Sequence, residues 1–220
     1  MIAAGLALIF DMDGVLIDSN PLHRESWAAF NRRYGLETTE DMHQRMYGRR
    51  NDAILRDFFG DALTLEELSA RSAAKEALYR EMMAARLDEF LVPGVKEFLE
   101  VYAATPKGLA SNAEPENIDF LLDRAGLRSY FQVVVDGRQV AQPKPDPEIY
   151  LKTSDLLNTP PGDCIVFEDS HAGVAAARAA GMRVVGVSTT EDDLPGSTIT
   201  IDNFLSGELS TWLRAQKRAQ

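Results

Sequence analysis

The residues best equipped for chemistry in this chain are acidic and come in pairs: Asp11 and Asp13 in Asp11-Met12-Asp13-Gly14, and Glu168 with Asp169. Ser111-Asn112 and Lys144, within Gln142-Pro143-Lys144-Pro145, complete the set. Singly, each has an ordinary explanation, because Asp after a strand serves turns and Ser-Asn before a helix serves as a cap. Gathering several carboxylates is costlier, since they repel one another unless a cation is shared or some are protonated. Hard oxygen donors with little His or Cys nearby suit Mg²⁺ better than zinc. Such an ion beside a Lys and a Ser that grip oxyanions is equipment for phosphoryl transfer. The positive groups offset charge on the phosphoryl oxygens, so an anionic carboxylate can approach phosphorus. One aspartate can then act as nucleophile and form an acyl phosphate, while a second serves the leaving oxygen as general acid. Competing motifs are missing: there is no GxxxxGK[ST], HExxH or GxGxxG, and the Gly of Asp-x-Asp-Gly comes too early for an EF-hand loop.

For these residues to meet, the elements carrying them must converge. Short apolar runs at 6–10, 108–111, 132–135, 164–168 and 184–187 read as buried strands. Helical spacing fills 95–103, 115–125, 147–157 and 173–180 between the later ones. Strands apolar throughout and separated by helices imply an α/β fold, a Rossmann-like parallel sheet covered on both faces. In such sheets the strand carboxyl ends form the ligand site, and the acidic pairs, Ser111 and the approach to Lys144 follow strand ends. Between the first strand and Val95 no strand is evident. Three helical patterns occupy that stretch. His23, Trp27, Phe30 and Tyr34 share one face of the first, 52–59 forms a short second, and 65–88 a third with Leu68, Ala74, Leu78 and Met82 as its buried stripe. The expected organisation is a catalytic core over 1–18 and 92–220, with an inserted helical cap over 19–91.

With the motifs in order, the chain resembles the haloacid dehalogenase superfamily, in its β-phosphoglucomutase-like branch of phosphatases and mutases. Phe10-Asp11-Met12-Asp13-Gly14-Val15-Leu16-Ile17-Asp18-Ser19 resembles the first motif and Leu109-Ala110-Ser111-Asn112 the second. Lys144-Pro145-Asp146-Pro147 and Phe167-Glu168-Asp169-Ser170 resemble the third and fourth. The resemblance implies Asp11 as nucleophile and Asp13 as general acid/base. It implies Mg²⁺ held by Asp11, Asp169 and the carbonyl of Asp13, with Glu168 a direct or indirect ligand. Ser111, with Asn112, and Lys144 would bind the phosphoryl group. Gln142-Pro143 departs from the family pattern, and a proline on each side of Lys144 restricts its backbone. In the cap, the resemblance marks His23, Arg50 in Tyr47-Gly48-Arg49-Arg50, with Arg49 in reserve, and Lys75 as substrate contacts. The dehalogenases lack a second aspartate, so Asp13 favours oxygen–phosphorus chemistry.

Composition sets outer limits. The chain has 220 residues, 45% hydrophobic and 26% charged, which is ordinary for a globular protein. A net charge of −11, from 23 basic and 34 acidic residues, disfavours nucleic acid and anionic membrane as partners. The apolar opening lacks a basic n-region and is cut short by Asp11 and Asp13, and Cys164 is the single cysteine; the expectation is a cytoplasmic protein, monomer or weak homodimer. The expected activity is a Mg²⁺-dependent phosphatase on a small phosphorylated sugar or related metabolite, through an aspartyl phosphate. A β-phosphoglucomutase is the alternative, a phosphonate hydrolase using Lys75 is a lesser one, and a metal-dependent binding module ranks last because every catalytic position is filled.

Overall fold

The apolar runs become neighbours in one sheet. The computed structural model describes residues 4–46 and 49–216. In chain order the elements are β1 (Ala7–Phe10), α1 (Asn20–Arg33), α2 (Glu40–Met46), α3 (Asn51–Phe59), α4 (Leu65–Ala84), α5 (Leu87–Phe90), α6 (Val95–Val101), β2 (Lys107–Ser111), α7 (Pro115–Ala125), β3 (Val133–Asp136), α8 (Glu148–Leu156), β4 (Cys164–Glu168), α9 (His171–Ala179), β5 (Arg183–Val187), β6 (Ile199–Ile201) and α10 (Gly207–Ala215). The six strands lie in the order β3-β2-β1-β4-β5-β6, every adjacent pair parallel. β1 is thus central, with β2 and β4 beside it. That placement aligns the ends of the three strands that carry Asp11, Ser111 and Glu168.

The strand alternation explains both covered faces. Phe10 and Phe167 are register partners and stack at 4.6 Å, joined by Phe98, Phe131 and Phe204 on the same face. Ala7, Ile9, Ala110 and Val166 point the other way, against Ile149 and Tyr150 of α8 and Val174 of α9. Strands buried on both faces cannot alternate polar and apolar, hence their uniformly apolar composition. Neither β6 nor α10 was expected. β6 is a three-residue edge strand with an exposed Thr200 at its centre, too short to show a period.

The chain divides into two compact units: Met1–Asp18 with Asp88–Gln220, and Ser19–Leu87. The first includes a small neck. Asp18 N–H donates to the Phe90 carbonyl at 2.7 Å, Val92 N–H to that of Leu16 at 3.0 Å, and Ile17 bridges Leu91. These bonds put residues 88–91, expected in the cap, with the sheet.

The second unit is helical. Its core packs Trp27, Phe30, Ile54, Leu55, Leu68 and Leu78. α4 opens on a reciprocal cap between Thr64 and Glu67. Its buried face differs from the apolar stripe expected: Ala74 is exposed and Met82 half-buried, while Lys75, Glu76, Tyr79 and Met83 are buried beside Leu68 and Leu78. The helix turns a charged pair inward, which a search for apolar spacing passes over. Helix α2 also went unread, being short and polar in all but its methionines. No helix among the described residues is long and apolar enough to cross a membrane.

Candidate active site

The first acidic pair stands on a tight turn at the carboxyl end of β1. The Met12 carbonyl accepts from the N–H groups of Val15, Leu16 and Ile17, and Gly14 N–H donates to Ile17 at 2.7 Å. Gly14 has φ +75°, and a Cβ there would lie 1.8 Å from Asp169 Oδ2. Only glycine lets the turn approach the second acidic pair this closely. The hydroxyls of Thr189 and Thr190, just beyond β5, donate to the Gly14 carbonyl and to Asp169 Oδ2 respectively.

Lys144 joins the two pairs. Its side chain is only 5% exposed, and Nζ donates to Asp11 Oδ1 at 2.6 Å, Glu168 Oε1 at 2.6 Å and the Ala110 carbonyl at 2.9 Å. The flanking prolines therefore do not keep it away; the Lys144–Pro145 peptide is cis, and Lys144 N–H donates to Asn112 Oδ1 at 3.4 Å. Ser111 is buried at the end of β2, where its Oγ accepts from Ala113 N–H at 3.1 Å. Glu168 is saturated. Oε1 accepts from Lys144 and from Tyr150 Oη, and Oε2 from Ser170 Oγ and the N–H groups of Asp169 and Ser170. Both of its oxygens are engaged within the protein.

The electrostatics follow from several buried carboxylates around one lysine. Burial pushes Asp11 upward; Lys144 opposes this, but Glu168 and Asp13 add repulsion, and the result is about 7. Asp169 is raised well above the ordinary carboxylate range by burial, then by Glu168 and Asp11. Burial would raise Glu168 too, but Lys144 outweighs it and holds Glu168 low. Lys144 is raised: burial works against its charge, and Asp11 and Glu168 more than compensate.

Negative charge exceeds what Lys144 balances, and the excess falls on Asp11 and Asp169, which suits a divalent cation. Among the described residues no three His, Cys, Asp or Glu side chains stand together at metal-ligand spacing. Two carboxylates and a backbone carbonyl nonetheless fit Mg²⁺, an ion that keeps several waters and takes few protein ligands. Gly14, where any Cβ would collide with Asp169, lets the backbone that carries Asp11 and Asp13 come directly against that carboxylate.

The expected cap residues form a cluster within the helical unit. Lys75 Nζ lies 2.9 Å from His23 Nδ1 and 2.8 Å from Glu76 Oε1. Asn51 donates to Glu76 Oε1 at 2.7 Å and to Ser72 Oγ at 3.0 Å, and the His23 ring stacks on Tyr79 at 4.0 Å. Burial and the adjacent ammonium push His23 down to about 3, despite Glu76. Burial would raise Glu76, but Lys75, His23 and Asn51 bring it to about 2. His23, expected to contact the substrate, is neutral at physiological pH. Arg49 bonds Asp57 at 3.0 Å; the Arg50 side chain is 77% exposed, 3.8 Å from Asp52. Tyr47 and Gly48 of the expected grip loop lie outside the described residues.

Tyr150, Thr189, Thr190, Glu76 and Asn51 escaped the sequence reading. The threonines follow the apolar run of β5, so their place beyond a strand end is the signal that could find them. Nothing in residue type or spacing marks Tyr150.

Comparison with known proteins finds relatives over most of the chain. The family description "haloacid dehalogenase-like hydrolase" matches residues 6–181. A "Phosphorylated carbohydrates phosphatase" of Thermotoga maritima is 38% identical over 194 residues, covering 85% of this chain and 87% of that protein. A "Beta-phosphoglucomutase" of Bacillus subtilis is 32% identical over 192 residues, covering 82% of each. The crystal structure of β-phosphoglucomutase from Clostridium difficile superposes with a TM-score of 0.82 at 25% identity, covering 97% of each chain.

Proposed function

This chain belongs to the haloacid dehalogenase-like hydrolases, and we propose that within them it is a phosphatase of small phosphorylated sugars or related metabolites. In this reading Asp11 attacks phosphorus and becomes an aspartyl phosphate, while Asp13 gives a proton to the departing alcohol and takes one from the water that follows. Lys144, 2.6 Å from Asp11 Oδ1, draws the nucleophile toward its charged form and, with Ser111 and Asn112, orients the phosphoryl oxygens. Asp11, Asp169 and the Asp13 carbonyl would hold Mg²⁺, which when bound supplies positive charge against those oxygens. Glu168 acts through Lys144.

The observation that carries phosphatase over mutase is the charge of the helical unit. A mutase must retain a bisphosphate through its turn in the site, and that calls for cationic anchors. Of the three expected substrate contacts in that unit, His23 is neutral, Lys75 is paired with Glu76, and Arg50 keeps an exposed guanidinium near Asp52. That favours a unit that selects a sugar by hydrogen bonding. The test runs phosphate release on a panel of hexose and pentose phosphates, with Mg²⁺ and with excess chelator. A coupled glucose 6-phosphate assay on β-glucose 1-phosphate, primed with sugar bisphosphate, runs beside it. Phosphate release that needs Mg²⁺ and outpaces isomerisation is expected. Isomer conversion well ahead of phosphate release would establish the mutase instead.

A further inference from the structure

Tyr150 sits in the first turn of α8 with no exposed surface. Its hydroxyl donates to Glu168 Oε1 at 2.6 Å, the same oxygen that accepts from Lys144 at 2.6 Å. Its ring lies 4.8 Å from Lys144 Nζ, within cation–π range. One side chain thus touches both halves of the ion pair. A buried phenol requires an acceptor in any fold. The nearby buried hydroxyl of Thr153 finds one in its own helix, at the Ile149 carbonyl, 2.7 Å away. Tyr150 instead reaches to the carboxylate at the end of β4.

We propose that Tyr150 is a positioning residue for phosphoryl transfer, whose hydroxyl shares Glu168 Oε1 with Lys144 so that the lysine is held without being captured. The inference rests on the phosphoryl-transfer reading above and deepens it. An ammonium has three N–H donors, and those of Lys144 go to Asp11, Ala110 and Glu168. A phosphoryl oxygen can be gripped only if one of these is surrendered. The Ala110 carbonyl is neutral and fixed in β2, and Asp11 is the nucleophile itself. The bond to Glu168 is the adjustable one, because Tyr150 draws on the same oxygen's charge. Without the hydroxyl, Oε1 would spend that charge on Lys144 alone, pull it toward β4, and lose the donor that fixes the carboxylate's orientation.

Tyr150→Phe keeps the ring and removes only the shared hydrogen bond. Two readouts apply: kcat and KM for a phosphate ester that the wild type hydrolyses, and the ¹⁹F spectrum of trifluoroberyllate bound with Mg²⁺, a mimic of a phosphoryl group on a carboxylate. The expected result is a kcat lower by about tenfold, an unchanged KM, and a displaced resonance for the fluorine that accepts from Lys144. Tyr150→Leu, lacking the ring as well, is expected to lose at least as much kcat. Wild-type uptake of trifluoroberyllate with an unaltered Tyr150→Phe spectrum and kcat would overturn this inference alone, even if that variant melted earlier. A wild type that neither hydrolyses esters nor takes up trifluoroberyllate would overturn the phosphoryl-transfer reading and this inference with it.

Discussion

Gly173 offers a way to displace Glu168 without touching an ionisable group. It lies in the first turn of α9, and a Cβ built there would sit 1.8 Å from Glu168 Oε1, 1.9 Å from Cδ and 2.2 Å from Oε2. Contacts under 3.0 Å essentially never occur for a real Cβ, so in Gly173→Ala the carboxylate must retreat by at least about 1.2 Å, the gap between those two values. Its oxygens are held by five donors, including Lys144, and a retreat of that size breaks most of these bonds. Separating a buried ion pair costs about 3–5 kcal/mol. For a chain of this length that lowers Tm by roughly 6–20 °C. Lys144 loses its anchor, and misplacement by about 1 Å near the chemistry costs on the order of 100-fold in rate. Calorimetry reads the first effect and release of an aryl alcohol from its phosphate the second. Ala172→Ser, at the exposed neighbouring position, serves as control and should move stability by no more than about 0.5 kcal/mol. A Gly173→Ala protein with wild-type Tm and turnover would refute the argument that Glu168 must stand where it does.

Three further outcomes are expected. Asp11→Asn should abolish turnover on every ester, whereas Asp13→Ala should lose far more activity on a sugar phosphate than on an activated aryl phosphate, whose leaving group needs no proton; equal losses in Asp13→Ala would refute its role. His23, at about 3 when folded against an ordinary 6.5, binds a proton in the unfolded chain first, so stability rises with pH between those values and falls as pH drops through 6.5. By pH 5 that loss reaches at most about 2 kcal/mol, and His23→Asn should remove it; urea unfolding of both proteins at pH 7.5 and 5 would show this, and equal pH dependence would refute it.

The core was readable because buried parallel strands have no choice but to be apolar, and because their ends carried charge out of keeping with that composition. Asp11, Glu168 and Asp169 announce themselves in this way, and Ser111 does so as a polar residue closing an apolar strand. Lys144 was visible as a residue, but its burial among carboxylates depends on a loop conformation that periodicity does not describe. Tyr150 was beyond reach for a different reason: an aromatic on the sheet-facing side of a helix looks like packing, and only the position of its hydroxyl separates the two roles. The same limit applies to Lys75 and Glu76, whose burial on α4 inverts the usual rule that charge marks the exposed face. α10 does carry a signal, since Ser206 caps it and Leu209 and Leu213 share its buried face.

The neck joining residues 16–18 to 90–92 makes the stretch between them an excursion with a fastened mouth. The two ends of that stretch are short backbone segments hydrogen-bonded to each other beside the sheet. Loop closure grows more costly only with the logarithm of length, so a longer or shorter insert, or an unrelated one, would burden the strands little. Chemistry and recognition can therefore evolve at separate tempos in this architecture. The residues around Asp11 answer to the phosphoryl group, while the stretch from Ser19 to Leu87 is the part open to exchange, and a lineage can graft a new insert there without rebuilding the centre that reacts.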